Sequence, residues 1–381
     1  MNYSLFTSES VCSGHPDKIC DQISDAVLDA ALMVDKESRV ALETLVTVNK
    51  VVMAGEVSCK QSLDYKEIAK KKIREIGFIS SIFNFDENAD IEVLVHEQSK
   101  DIAVGADNDG ADDQGMMFGY ACNETPQLMP LPIVLAHELC RKMDELQFGK
   151  LNYLRPDGKA EVSVIYDNGK VMGVDTVVLA KPFGRENKTE EVKQDLYNLA
   201  VLPVLEKYDL TKIPKDKVIF NGTGIWEIGG PASDTGVTGR KIVVDTYGGM
   251  GRIGGGCFSG KDPSKVDRSA AYAARFLAKN LVAAGLADRC EVQLAYVIGQ
   301  REPIVKSIET FRTAKKDIKI IEDFAWNLMD LSVKGIIEKF DLKRPIYQQT
   351  AKYGHFGREE FSWEKTNPSP SLPLTGQGVS F

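Results

Sequence analysis

Apolar residues recur with a helical period over two stretches of this chain, and elsewhere they run in short β-branched blocks. Val266, Ala270, Ala273, Leu277, Leu281 and Ala284 trace one helix face, and Gly285 ends the run. Asp262 followed by Pro263 predicts an N-cap and a first helical residue. Before it, residues 242–246 predict a short strand, and six of the nine residues over 248–256 are glycine. That density costs backbone entropy, so the chain needs unusual dihedrals or close backbone approach there. A second helix is predicted from Pro16, with Ile19, Ile23, Ala26, Ala30 and Val34 as its apolar face. Asp17, Asp21, Asp25 and Asp29 recur every fourth residue on its other side. The last three are expected to form a solvated face, with charge placed favourably toward the helix N-terminus.

The remaining pattern alternates hairpins and helices. Residues 39–57 predict a hairpin turning at Asn49-Lys50, and 162–166 with 171–179 predict another around Asp167-Asn168-Gly169. Helices are expected over 63–76, 133–146 and 190–208, with strands at 91–95, 292–298 and 304–311 and two more helices before residue 340. Residues 98–115 are acidic, contain glycine and lack a period, so they are expected to be a loop. A calcium loop is a poor match there, because the glycine comes too early and Phe118 stands where the final glutamate belongs. The aromatic stretch 353–363 is expected to dock structurally, and 368–381 to fray.

Length changes this picture only by requiring two or three domains, since 381 residues exceed one ordinary core. A net charge of −8 argues against nucleic acid or an anionic membrane as the main partner. The N-terminus lacks a secretory pattern and no apolar run approaches membrane-spanning length. Seven cysteines without a CxxC read as reduced thiols of a cytoplasmic protein, and four scattered histidines offer no zinc spacing.

Within this acidic chain, Lys261 and Lys265 flank the predicted helix start, where the macrodipole disfavours cations. A polyanion held between them and the helix would account for both, and Asp267 could hold a divalent cation against it. Residues 255–261 spell GxxxxGK, but Asp262 stands where a P-loop needs Ser or Thr. Residues 249–254 spell GxGxxG, but more glycines follow where a dinucleotide fold would open its helix. A phosphate-binding loop of another fold is the better expectation. A kinase or ligase using the near-P-loop, and a nucleotide-binding regulator with no use for paired carboxylates, are the rivals.

With Gly14-His15-Pro16-Asp17-Lys18 and Gly110-Ala111-Asp112-Asp113-Gln114-Gly115, the block GKDPSKVDRSAAYAAR at 260–275 resembles the S-adenosylmethionine synthetase (methionine adenosyltransferase) family. The resemblance runs from residue 5 to about 365. It implies an α+β fold of three similarly built two-layer α/β domains, sheets packed inward and helices outward. These would be an N-terminal domain at 1–100, a central domain at 116–230, and a C-terminal domain at 231–381 with the phosphate-binding glycine loop. Residues 101–115 would be a mobile lid loop with the GADDQG motif. The implied reaction joins ATP and L-methionine by attack of the methionine sulfur on C5′, and the displaced tripolyphosphate is then cut to pyrophosphate and phosphate. A thioether has no proton to remove, so the first step calls for orientation and fixed cations rather than a base.

The same resemblance implies catalytic roles for His15, Arg240, Lys241, Lys261 and Lys265. ATP would meet His15, Asp157, Gly158, Lys159, Ile225, Trp226, Asp234, Arg240, Lys241, Cys257 and Lys261. Methionine would meet Glu56, Gln98, Asp234 and Lys265. Two Mg2+ would lie on Asp17 and Asp267, and K+ on Glu43. The sites would be shared across a homodimer, within a homotetramer. This chain departs from the family pattern at Cys257, where alanine is common, at Ile225-Trp226, where Arg-Phe is usual, and at Asp112, a glycine-like position. Tryptophan keeps a face for adenine stacking, and the lid is shorter than those of bacterial members.

Hairpin counting adds one expectation of its own. With the turn at Asn49-Lys50, Glu43 faces Glu56 among apolar neighbours, and like charges directly opposite are destabilising. Such a pair is either screened by water, or shares a proton, or holds a cation.

Overall fold

A computed structural model describes residues 3–97, 110–210 and 213–366, and the period-2 and period-3.6 stretches in it become three sheets, each backed by a long helix. In chain order the first elements are β1 (Tyr3–Val11), α1 (Pro16–Val34), β2 (Arg39–Thr47), β3 (Lys50–Ser58), α2 (Tyr65–Ile76) and β4 (Asp90–His96). Next come β5 (Gly115–Cys122), α3 (Leu131–Gln147), β6 (Lys159–Asp167), β7 (Lys170–Ala180), α4 (Thr189–Leu196), α5 (Leu202–Glu206) and β8 (Val218–Phe220). The last are β9 (Gly236–Val237), α6 (Ile242–Asp245), α7 (Val266–Ala283), β10 (Arg289–Tyr296), β11 (Val305–Glu309), α8 (Ile318–Trp326) and α9 (Val333–Phe340).

The sheets run β4-β3-β2-β9, β1-β6-β7-β8 and β11-β10-β5, and α1, α3 and α7 pack on them in that order. Each sheet takes one strand from a distant stretch. Tyr3 of β1 pairs with Asp167, Val237 of β9 with Leu45, and Glu291 of β10 with Tyr120. The three units are therefore tied together by backbone ladders. The strand β9 also delivers the chain that follows it to α1. Helices α2, α8 and α9 lie outside, as expected, whereas α1, α3 and α7 are enclosed almost all round.

Enclosure of α1 corrects the expectation of a solvated acidic face. Asp21 and Asp25 are fully buried and Asp29 nearly so. Each accepts backbone N–H groups from the C-terminal part of the chain: Asp21 from Gly239, Asp25 from Gly260, and Asp29 from Tyr347 and Gln348. Lys18 sits between Asp21 and Asp245, and Arg268 grips Asp25 with two nitrogens at 2.7 and 2.9 Å. Buried carboxylates survive only with such partners.

Local corrections follow from capping and turn geometry. Residues 242–245 form one helical turn, not a strand, because Asp245 N–H closes on the Lys241 carbonyl. Helix α7 begins at Val266, with Lys265 at the N-cap, so Asp262 is not its cap. Asp262 instead accepts from the N–H of Val40 and of Ser264, pinning the loop to β2. The first hairpin turns at Val48-Asn49, one residue earlier than expected, with Asn49 in the left-handed region. The second turns at Asn168-Gly169, as expected, with φ of 49° and 78°. The helix expected over 190–208 is interrupted by a π-helical stretch, Tyr197–Val201, just before Pro203, which removes a ladder donor.

The aromatic tail docks as expected. Trp363 is fully buried, stacks on Tyr272 with centroids 3.8 Å apart, and donates its indole N–H to the His355 carbonyl. The fraying expected over 368–381 lies outside the described residues.

Candidate active site

The N-terminus of α1 is the first node. His15 is the N-cap, buried, and its Nδ1 accepts the Asp17 N–H at 3.2 Å. An acceptor Nδ1 places the proton of a neutral imidazole on Nε2. Burial, then the charge of Lys241, lower its pKa to about 3. Asp17 is buried too, and burial pushes its pKa up, but Lys241 and the Val237 N–H outweigh this and hold the carboxyl below its usual range. Lys241 Nζ lies 2.6 Å from Asp17 Oδ2, and Arg240 Nε lies 3.7 Å from Oδ1. Arg240, Lys241, Gly239 and Glu9 line a cleft of about 460 Å³. Lys159 reaches the same edge, 3.5 Å from Glu9.

A second node lies on the open face of the first hairpin. Glu43, Glu56, Cys257, Ser259 and Lys261 line a cavity of about 300 Å³. The shifted register sets Glu56 opposite Ala41 and Glu43 opposite Ala54, so the two carboxylates are diagonal rather than directly opposed. They stay on one face, because the pleat repeats every second residue. His96 lies 3.2 Å from Glu56. Lys261 is 2.6 Å from Asp267; although burial lowers its pKa, Cys257 and Asp267 raise it overall, so it stays cationic. Cys257 packs against Gly239, where an added Cβ would lie 2.4 Å from the Cys257 Cβ, and this contact joins the two nodes. The Ser259 hydroxyl is buried and has no hydrogen-bond partner among the described residues, a feature the sequence reading missed.

The third node is Asp157-Gly158. Asp157 is buried at φ 87°, and its carboxylate accepts the N–H of Gly230 at 2.7 Å and of Gly158 at 2.6 Å. Burial raises its pKa to about 6 against those bonds. Its backbone backs directly onto Gly14, where an added Cβ would lie 2.4 Å from the Asp157 N. The Asp157 side chain therefore holds the 229–230 turn. Ile225 and Asp234 are exposed, and Trp226 is half-buried with its indole N–H on the Ile228 carbonyl.

Both lysines lie at the start of α7 on different carboxylates. Lys265, its N-cap, pairs with Asp112 at 2.9 Å and Asp262 at 3.3 Å, whereas Lys261 pairs with Asp267 in the first turn. Gln98 lies outside the described residues.

Three family models match successive parts of this chain. S-adenosylmethionine synthetase N-terminal, central and C-terminal domains match residues 3–100, 108–226 and 228–365. The chain belongs to the S-adenosylmethionine synthetase family. A Treponema denticola protein described as S-adenosylmethionine synthase is 50% identical over 98% of this chain and 98% of its own length. The chain is accordingly an enzyme, a methionine adenosyltransferase, built of three α/β domains. No helix among the described residues is long and apolar enough to cross a membrane.

Two ion sites can be weighed against this geometry. No group of three or more His, Cys, Asp or Glu among the described residues could hold a metal by itself. Magnesium commonly takes one or two carboxylates and completes its shell with water and substrate phosphates. Single carboxylates at Asp17 and Asp267, each beside a lysine, fit a phosphate-borne ion of that kind. Glu43 and the Ser259 hydroxyl, which has no hydrogen-bond partner among the described residues, share one cavity and fit a monovalent cation.

Proposed function

We propose that the chain joins ATP to L-methionine by in-line attack of the methionine sulfur on C5′, and then hydrolyses the tripolyphosphate to pyrophosphate and phosphate. The observation that carries this is the first node: two cations on a buried carboxylate, beside a neutral histidine fixed as an Nε2–H donor. The leaving O5′ gathers charge, and His15 donates to it without first having to lose a proton. Arg240, Lys241 and Lys261 neutralise the triphosphate, with Lys159 at its edge. Preorganised donors and charges of this kind are usually the largest catalytic contribution. Two Mg2+, held by Asp17 and Asp267 together with the phosphates, would add Lewis-acid stabilisation of the leaving group.

In the same proposal Glu56 receives the methionine ammonium, with Asp234, Gln98 and Lys265 contributing, and Glu43 holds K+. Trp226 stacks on adenine beside Ile225, with Asp157, Gly158 and Cys257 along the nucleotide. The same reading divides the chain into an N-terminal domain at 1–100, a lid at 101–115, a central domain at 116–230 and a C-terminal domain at 231–381. Assembly as a homodimer with shared sites, within a homotetramer, is supported by exposed apolar residues such as Leu94, Met116 and Ile304 on or beside sheet strands. A cytoplasmic location completes the reading. Incubation with ATP and methionine should give S-adenosylmethionine, pyrophosphate and phosphate. ADP formed in step with turnover would favour the kinase or ligase instead.

A further inference from the structure

Gly239 immediately precedes Arg240-Lys241, and Gly260 immediately precedes Lys261. Both are left-handed, with φ of 79° and 81°. Neither tolerates a side chain, since a Cβ would lie 2.4 Å from the Cys257 Cβ and 2.0 Å from the Leu42 carbonyl oxygen. The backbone before each proposed phosphate-binding cation is thus free of any side chain that could steer it. Its N–H groups are taken instead by α1: Gly239 donates to Asp21 Oδ1 and Gly260 to Asp25 Oδ1, each at 2.9 Å.

Val237 donates to Asp17 at 2.9 Å and Gly239 to Asp21. The end of β9 and the turn two residues after it are therefore held by carboxylates one helical turn apart, about 6.0 Å along α1. The carboxylate stripe fixes the turn that leads from β9 into Arg240. Each acid is itself fixed from the other side, Asp21 by Lys18 at 2.9 Å and Asp25 by Arg268.

We propose that Asp21 and Asp25 are positioning residues: by holding the Gly239 and Gly260 amides to α1, they register Arg240, Lys241 and Lys261 against His15 and Asp17. The inference rests on the functional reading above. Catalytic groups need placement within about 0.5 Å, and a glycine-rich loop supplies no such precision on its own.

The test compares two matched pairs of variants. Lys18→Met/Asp21→Asn and Lys18→Met/Asp21→Leu both remove the Lys18–Asp21 ion pair and leave Asp245 equally without its lysine, but only asparagine keeps an acceptor for Gly239. Asp25→Asn/Arg268→Met and Asp25→Leu/Arg268→Met make the same comparison at Gly260. Tripolyphosphate affinity is read by calorimetry, kcat and methionine KM by S-adenosylmethionine formation, and folding by near-UV circular dichroism. The asparagine members should bind tripolyphosphate within about threefold of the parent. The leucine members should bind at least tenfold more weakly and lose at least tenfold in kcat, with methionine KM unchanged. Equal affinity and kcat within a folded pair overturns the proposal, and either pair decides if the other fails to fold. A parent that makes no S-adenosylmethionine would refute the functional reading, while the calorimetric comparison would still decide the positioning role.

Discussion

His15→Asn is the substitution that most directly probes the first node. A pKa moved from 6.5 to about 3 means that the buried site disfavours imidazolium by about 5 kcal/mol. At pH 7 only about one molecule in ten thousand carries the charge. With Nδ1 accepting from Asp17 N–H, the one proton left sits on Nε2, so His15 acts as a neutral donor. Loss of one preorganised donor to a developing oxyanion costs about 2.7–4 kcal/mol, or 10²–10³ in kcat. The variant should show that fall in steady-state S-adenosylmethionine formation, with ATP KM little changed. The parent should show no acid limb from His15 between pH 5 and 9. Stability gives an independent sign. The folded pKa lies below the unfolded one, so neutral His15 favours the fold above pH 6.5, and this contribution is lost as pH falls toward 3. Removing the imidazole should abolish about 2 kcal/mol of acid destabilisation between pH 7 and 5. An acid limb near pH 6.5 present in the parent and absent in His15→Asn would refute the neutral-donor reasoning.

Lys261→Ala should raise the barrier by roughly 3 kcal/mol, as for a removed preorganised donor; turnover within a factor of two of the parent would take Lys261 out of the mechanism. Trp226→Ala should weaken ATP by about 1–3 kcal/mol, the worth of base stacking, and leave methionine KM alone. A lower melting temperature with unchanged ATP affinity would instead make Trp226 a packing residue. Glu56→Gln should raise methionine KM while sparing ATP, and Glu43→Gln should blunt activation by potassium. Normal methionine binding in the first, with full potassium activation in the second, would mark the pair as ordinary solvated carboxylates.

Much of the fold was legible because it follows local rules. The 3.6-residue period located α1 and α7, and Asn168-Gly169 set the second hairpin with the two left-handed residues its turn demands. The first hairpin was less legible. Asn49 signalled a left-handed residue, but not which position of the turn it would take. That one-residue slip moved Glu43 and Glu56 from opposed to diagonal, yet kept them on one face because both strands shifted together. Asp262-Pro263 showed a real preference for a cap-like carboxylate. The tertiary structure put that carboxylate to use on Val40 and Ser264 instead, and α7 started three residues later than the predicted first helical position. Lys261 and Lys265 both lie at the α7 N-terminus, but the Asp112 partner of Lys265, more than a hundred residues away, could not be read from local sequence.

The acidic stripe of α1 was the largest misreading, and its cause is physical. Polar residues on one side of an amphipathic helix usually face water. That inference fails when the other side of the helix meets backbone rather than side chains. The turns at Gly239 and Gly260 present backbone N–H groups to α1, and carboxylates are the side chains that satisfy them. Four acids at i, i+4 spacing on one helix also repel one another in water, a local conflict that makes sense only if partners arrive from elsewhere in the chain. The glycine run and the acid stripe were both visible in the sequence, but the stripe's partners flank the run rather than lie in it: Asp17, Asp21 and Asp25 receive Val237, Gly239 and Gly260 in sequence order along α1. The run itself packs on β5, with Gly251 against Tyr120 and Gly254 against the Met116 carbonyl. An acid at every fourth position of a helix is therefore best tested first against backbone N–H groups presented by turns elsewhere in the chain.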